Sequence, residues 1–205
     1  MDILIELHYF PCISYFRRLL SCETVFLEAA ENYQKQTYRN RCYILGANKI
    51  QLLSVPVKKA EGKTSVRDVK IDYSMSWQSI HYRSIVSAYG KSPFFEYYID
   101  YFREVFEKKT EFLFDLNYQI LNICAQLMQF ELQVKLTSEY NSVNGAGVKE
   151  IADLRNTIIP ENRNAPNAAN LRYQQMFGKE FVHDLSIIDL LFCEGPQAFN
   201  YLRHK

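Results

Sequence analysis

Lys35, Arg39 and Arg41 bring three positive charges into residues 33–41, a run in which every side chain carries a polar group. Gln34, Gln36 and Asn40 add amides that both donate and accept, and Tyr33 and Tyr38 add flat amphipathic surface. A packed core has no use for such a run, whereas an anionic, hydroxylated small molecule does. If extended, the stretch puts Tyr33, Lys35, Thr37, Arg39 and Arg41 on one face; if helical, it aligns Lys35 with Arg39. Either way at least two cations converge, and a phosphate or carboxylate between them relieves their repulsion. The opposing reading is a solvated ribbon with Glu28 and Glu31 as counterions.

His8 stands at the end of an apolar run, before Tyr9-Phe10-Pro11, where a general base or phosphate contact is well placed. His81 follows Trp77 by one helical turn and is the second candidate base, with a satisfied buried imidazole as the bland alternative. Arg67 is favoured over its neighbour Asp68 as a binding residue, because adjacent strand residues face opposite ways, and Lys91 after Gly90 adds one more cation. Asp189, three residues after Ser186, has the spacing of a helix capping box. The five cysteines are scattered and never form a Cys-x-x-Cys pair, so neither a zinc site nor a disulfide framework is expected. No His-x-x-x-His pair supports a metal site, and no glycine-rich phosphate loop, dinucleotide fingerprint or nucleophile elbow occurs.

These residues need elements to hold them. The pattern predicts a strand at 3–7, a helix at 13–20 and a strand at 24–27, a β-α-β opening whose first loop lies at the carboxyl end of the first strand, the edge where ligands bind in open α/β sheets. The polar run follows the second of these strands directly, which brings it near His8. A turn at 46–48, a strand at 50–57 and an alternating strand at 66–72 follow. Helices are predicted from Trp77 to the glycine stop at Gly90, from Ser92-Pro93 with a buried stripe of Phe94, Tyr98, Tyr101, Phe102 and Val105, and along the seam Leu116, Ile120, Ile123, Leu127 and Phe130. A strand at 134–136, an asparagine-rich loop or lid at about 141–170 and a helix at 186–192 complete the reading. The fold class is α/β, a Rossmann-like or nucleotidyltransferase-like sheet with a helical second half, in one domain spanning 1–205.

Composition narrows the function classes. With 24 Lys plus Arg against 23 Asp plus Glu, no overall field draws the chain to nucleic acid, and any anion binding is local. The start lacks a secretory signal and no segment is apolar for long enough to insert in a membrane, so a cytoplasmic location is expected.

The chain resembles the WbqC-like family of bacterial proteins. The resemblance rests on His8-Tyr9-Phe10-Pro11 with Tyr15-Phe16, the run from Tyr33 to Arg41, Val55-Pro56-Val57, Arg67-Asp68-Val69, Trp77 with His81, Ala88-Tyr89-Gly90-Lys91 with Pro93-Phe94-Phe95, and Leu185-Ser186-Ile187-Ile188-Asp189-Leu190-Leu191-Phe192 with Gly195-Pro196. It implies a setting in O-antigen or other surface-polysaccharide biosynthesis, with a suggested role in transferring glycine or another amino acid. The expected partner is an anionic small molecule such as a nucleotide sugar; no cofactor is indicated. The leading expectation is a transferase moving an aminoacyl or similar group onto a nucleotide-linked sugar. The alternatives are a non-catalytic binding module for such a precursor and a protein-interaction domain.

Overall fold

The computed structural model of the protein describes residues 1–59, 62–140, 151–163 and 171–203. Four short strands form an all-parallel sheet: β1 (Asp2–Glu6), β2 (Val25–Glu28), β5 (Val134–Leu136) and β6 (Ile151–Asp153), in the order β5-β2-β1-β6. Ile3, Leu4 and Ile5 are all buried, as expected of a central parallel strand covered on both faces. In register, Glu6 lies beside Glu28, Leu27 beside Leu136 and Leu4 beside Asp153. All four strands therefore end at one edge, and chain order reverses between β1 and β6.

Helix α1 (Ile13–Leu20) connects β1 to β2 and buries Ile13, Tyr15, Phe16 and Leu19, while Arg17 and Arg18 occupy its last turn, where cations suit the carboxyl end of the helix dipole. Beyond β2 the chain builds an antiparallel hairpin of β3 (Arg41–Leu45) and β4 (Ile50–Ser54), turned at 46–49. β3 begins inside the polar run, which its charged sequence had concealed.

The helical half comprises α2 (Trp77–Tyr89), α3 (Phe95–Tyr98), α4 (Arg103–Glu107), α5 (Leu113–Leu127), α6 (Ile187–Glu194) and α7 (Ala198–Arg203). α6 is apolar on almost every side and buried from Ile187 to Cys193, the signature of a central helix. Its Phe192 ring lies 5.4 Å from Tyr89, 5.2 Å from Phe95 and 6.3 Å from Phe102.

Two expectations are corrected. Residues 66–72 are not a strand: Val66–Asp68 is a 3₁₀ turn whose Ser65 hydroxyl accepts the Arg67 N–H, so Val66 and Val69 turn inward while Arg67 and Asp68 are both exposed. The helix expected from Ser92 is broken by a 3₁₀ segment, Ile99–Phe102, whose tighter winding leaves Tyr101 exposed while Phe102 and Val105 stay buried. Within the expected loop at 141–170, β6 is a sheet strand; 141–150 and 164–170 lie outside the described residues.

Candidate functional site at the carboxyl edge of the sheet

Glu6, the last residue of β1, is almost completely buried, and each of its carboxylate oxygens has a partner. Oε1 accepts from His8 Nε2 at 3.1 Å and Oε2 accepts from the Asn156 backbone N–H at 3.0 Å. An Arg39 Nη1 lies 4.0 Å away. Burial pushes the Glu6 carboxyl up, but the hydrogen bond and charge of His8 together with the Arg39 charge outweigh it, and the net value is lowered. Arg39 in turn grips Glu31 through Nε and Nη2, both at 2.6 Å, and gives a further bond to Asn156 Oδ1 at 3.0 Å. For Glu31, burial dominates over the Arg39 contacts, Glu6 and Glu28 add repulsion, and the carboxyl is held above its ordinary value.

The turn after β6 completes this network. Asn156 sits at φ 57°, a left-handed conformation that asparagine tolerates, and so offers its N–H to Glu6 and its amide oxygen to Arg39 at once. Arg155 Nη1 reaches Glu28 Oε2 at 2.7 Å, while the other Glu28 oxygen accepts from Thr137 Oγ1 at 2.6 Å and from the Ala30 N–H at 2.9 Å. Charges so deeply buried are costly to fold around, and such clusters concentrate where a fold does chemistry. They lie at the sheet edge, beside the reversal of strand order, where open α/β sheets receive ligands.

His8 is fully buried, and beyond its bond to Glu6 its Nδ1 has no partner among the described residues. Its ring is 4.7 Å from Tyr15 and 5.3 Å from Tyr38. Among the described residues the buried Tyr38 hydroxyl also lacks a partner, as do Arg163 Nη1 and Ser186 Oγ. Three of these residues adjoin Tyr43: the Tyr38 ring is 6.0 Å from it, the Arg163 guanidinium stands 5.0 Å over it, and the Ser186 N–H bonds its carbonyl at 2.9 Å. Burial raises the Tyr38 hydroxyl well above its ordinary value, Cys12 and Asp184 adding to it and Arg163 opposing. Unsatisfied buried polar atoms are rare in a folded chain, and the bare His8 Nδ1 with the Tyr38 ring 5.3 Å from its imidazole is chemically suited to taking a polar ligand.

The ten residues singled out from the sequence do not meet in one pocket. His8, Tyr38 and Arg39 come together at Glu6, and the Tyr9 N–H bonds the Tyr38 carbonyl at 2.9 Å, tying the loop after β1 to the polar run. The run itself is neither extended nor helical: Gln36 has φ 61° and Thr37 Oγ1 donates to the Gln34 carbonyl. Arg39 presents no free guanidinium, because Glu31 is the counterion that the opposing reading named. Asn40 donates to the Val55 carbonyl at 2.9 Å, and Arg41 opens β3 with its Nε buried and unpartnered. Tyr33 is half-buried, and burial lifts its hydroxyl to about 12 against the charges of Arg41 and Arg39. Lys35 is exposed in a separate cleft, Arg67 lies 5.7 Å over the Phe114 ring, and Lys91 is exposed in the turn after α2.

His81 belongs elsewhere. Its Nδ1 is 2.9 Å from the Tyr9 hydroxyl, and burial lowers it to about 4 against the opposing effect of a hydrogen bond that the ring gives to the Ser54 backbone. Asp189 is not a cap: its N–H bonds the Ser186 carbonyl, but its buried carboxylate accepts from Tyr89 at 2.8 Å, from Gln175 at 3.1 Å and from Tyr173. Sequence reasoning missed Glu6, Arg155, Asn156 and Arg163. A glutamate closing an otherwise apolar strand was the legible signal for Glu6; the other three follow a strand too short to read.

The profile of the WbqC-like protein family matches residues 7–170 and 163–201. The chain belongs to the WbqC-like family. It is also similar to the uncharacterized protein Rv1507c of Mycobacterium tuberculosis (strain ATCC 25618 / H37Rv), 23% identical over an alignment covering 98% of this chain and 96% of that one. No solved structure matches it. The matched family segments include His8, the polar run and Arg155 to Arg163. Among the described residues no group of three or more His, Cys, Asp and Glu could hold a metal ion, and no helix is long and apolar enough to cross a membrane.

Proposed function

We propose that this WbqC-like protein is a cytoplasmic enzyme of surface-polysaccharide biosynthesis that transfers an aminoacyl or similar acyl group onto a nucleotide-linked sugar, with His8 as its base. The observation that carries the reading is the Glu6 and His8 pair: a buried carboxylate fixes one imidazole nitrogen and leaves the other bare, the arrangement by which a histidine is oriented to take a proton.

In the step envisaged, the acceptor's O–H or N–H gives its proton to Nδ1 as its oxygen or nitrogen bonds the acyl carbon of an activated ester or thioester. The leaving group departs with the electrons of the broken bond and receives that proton from the imidazolium, which Glu6 stabilises meanwhile. Tyr38 and Arg163 are suited to hold the polar oxygens of the reactants. The family resemblance supports the polysaccharide setting.

The complete burial of His8 favours a second reading, a non-catalytic module that binds a sugar nucleotide or another polysaccharide precursor. The two part on one experiment. Purified protein is incubated with activated aminoacyl donors and a panel of nucleotide sugars, and products are sought by mass. The transferase reading expects an acylated sugar whose formation, per folded molecule at a temperature well below unfolding, falls by about 10²- to 10⁴-fold in His8→Asn. Full activity in that variant eliminates His8 as the base, and binding without product establishes the second reading.

A further inference from the structure

Lys35, Lys58, Lys59 and Lys70 line a single cleft of about 320 Å³ together with Tyr33, Thr64, Gly62 and Asp68. Among the described residues that line it, four are lysines and one, Asp68, is acidic, with Asp72 close enough for its charge to act on Lys58, in a chain whose overall charge is only +1. Lys70 has an outside partner, Glu111 at 2.7 Å. Lys35, Lys58 and Lys59 have no ion-pair partner among the described residues. Like charges gathered in a concavity repel one another, and low-dielectric walls sharpen that repulsion, so the arrangement is favourable once an anion enters.

The cleft is framed by backbone rather than by chance side-chain positions. Three separate stretches meet there, held by Tyr33 N–H to the Thr64 carbonyl at 2.8 Å, Lys58 N–H to the Lys70 carbonyl at 2.9 Å, and isolated bridges pairing Asn32 with Ser65 and Val57 with Ile71. Tyr33 gives a half-buried ring at one wall, and the Arg41 charge acts on its hydroxyl. A cavity of this size holds a small anion with a flat or hydroxylated appendage and not a nucleic-acid strand, for which a basic stripe would be needed.

We infer that this lysine cleft binds the diphosphate of a nucleoside diphosphate or its sugar ester, with Tyr33 against the attached ring. The inference deepens the reading above by giving the anionic part of the substrate its own site, and it relocates anion binding from Arg39, which Glu31 neutralises, to lysines far apart in sequence.

The test is calorimetric titration of the full chain with inorganic pyrophosphate, with uridine diphosphate and with uridine. Pyrophosphate and uridine diphosphate are expected to bind, uridine diphosphate the more tightly, with affinity falling as salt rises, and uridine alone is not. Lys58→Ala/Lys59→Ala, at exposed positions, is expected to keep its melting temperature and weaken both affinities at least about tenfold. If pyrophosphate binds but the diphosphate gains nothing over it, the Tyr33 contact is refuted and only a phosphate site stands. No saturable binding of either up to about 10 mM, or binding that the double variant leaves unchanged, overturns the inference. His8→Asn leaves the cleft intact, so pyrophosphate binding retained in it, whatever its activity, separates this inference from the catalytic one.

Discussion

Arg39 and Glu31 meet fork to fork, Nε to Oε1 and Nη2 to Oε2, both at 2.6 Å, with 1% and 3% of their surfaces exposed. The pair locks the polar run against the loop after β2, and through Asn156 it also locks the turn after β6. Removing one partner leaves a buried charge uncompensated. Glu31→Leu alone is expected to cost roughly 3–5 kcal/mol in urea unfolding, and Glu31→Leu with Arg39→Met to recover most of that loss. Equal losses in the single and double variants would mean that the pair is not what holds these segments.

Asp189 is the corresponding anchor in the helical half. Burial pushes its carboxyl up, while bonds from Tyr173, Tyr89 and Gln175 draw it down, and the net value is raised. Asp189→Leu strands two buried hydroxyls and an amide. Each unpaired group costs about 1–3 kcal/mol, so the variant is expected to unfold at much lower temperature than Asp189→Asn, which keeps an acceptor. Comparable melting temperatures for the two would refute the anchor role.

His81 makes stability depend on pH. Its folded value of about 4 lies below the ordinary 6.5, so the unfolded chain binds the proton more readily between those values. The contribution is complete above 6.5 and is lost as pH falls toward 4, on the order of 3 kcal/mol in all at 1.36 kcal/mol per unit. His81→Gln should therefore flatten the pH dependence of denaturant unfolding across that window. A wild-type slope that the variant retains would assign the effect to other groups.

Gly195 ends α6 at φ 55°, and a Cβ there would collide with the Phe94 ring. Gly195→Ala combines a left-handed backbone with a clash against a ring packed on Tyr98, 6.1 Å away. A loss of about 2–4 kcal/mol is expected by thermal or denaturant unfolding. A variant as stable as the natural chain would show that Phe94 moves aside freely.

Much of the fold was legible in the residues. The continuous apolar run Ile3-Leu4-Ile5 before Glu6 is buried, and so, at helical spacing, are Tyr15, Phe16 and Leu19 of α1 and Leu116, Ile120 and Leu127 of α5. β3 was hidden because it begins with Arg41 and Tyr43, two partly buried polar residues at the end of a polar stretch, and β6 because three residues carry no period. The candidate site was half visible. His8 and Arg39 stood out as chemical groups, but the carboxylates that hold them sit at strand ends and in a turn distant in sequence, and only the parallel register of Glu6 beside Glu28 brings them together. Charge counting suggested free cations where the structure has ion pairs, since a sequence shows charges without their partners. Of the lysines without an ion-pair partner among the described residues, Lys35 stood in the polar run, whereas Lys58 and Lys59 follow the end of a strand and gave no signal of their own.

The central claim is that Glu6 holds His8 by Nε2 and leaves Nδ1 bare. The direct measurement is the pair of imidazole ¹⁵N shifts of His8 in histidine-labelled protein at mildly alkaline pH, compared with Glu6→Gln. The account predicts a protonated Nε2 whose shift moves on the Glu6 substitution, beside an Nδ1 with the shift of an unprotonated nitrogen. A proton on Nδ1, or an Nε2 shift indifferent to Glu6, would contradict it.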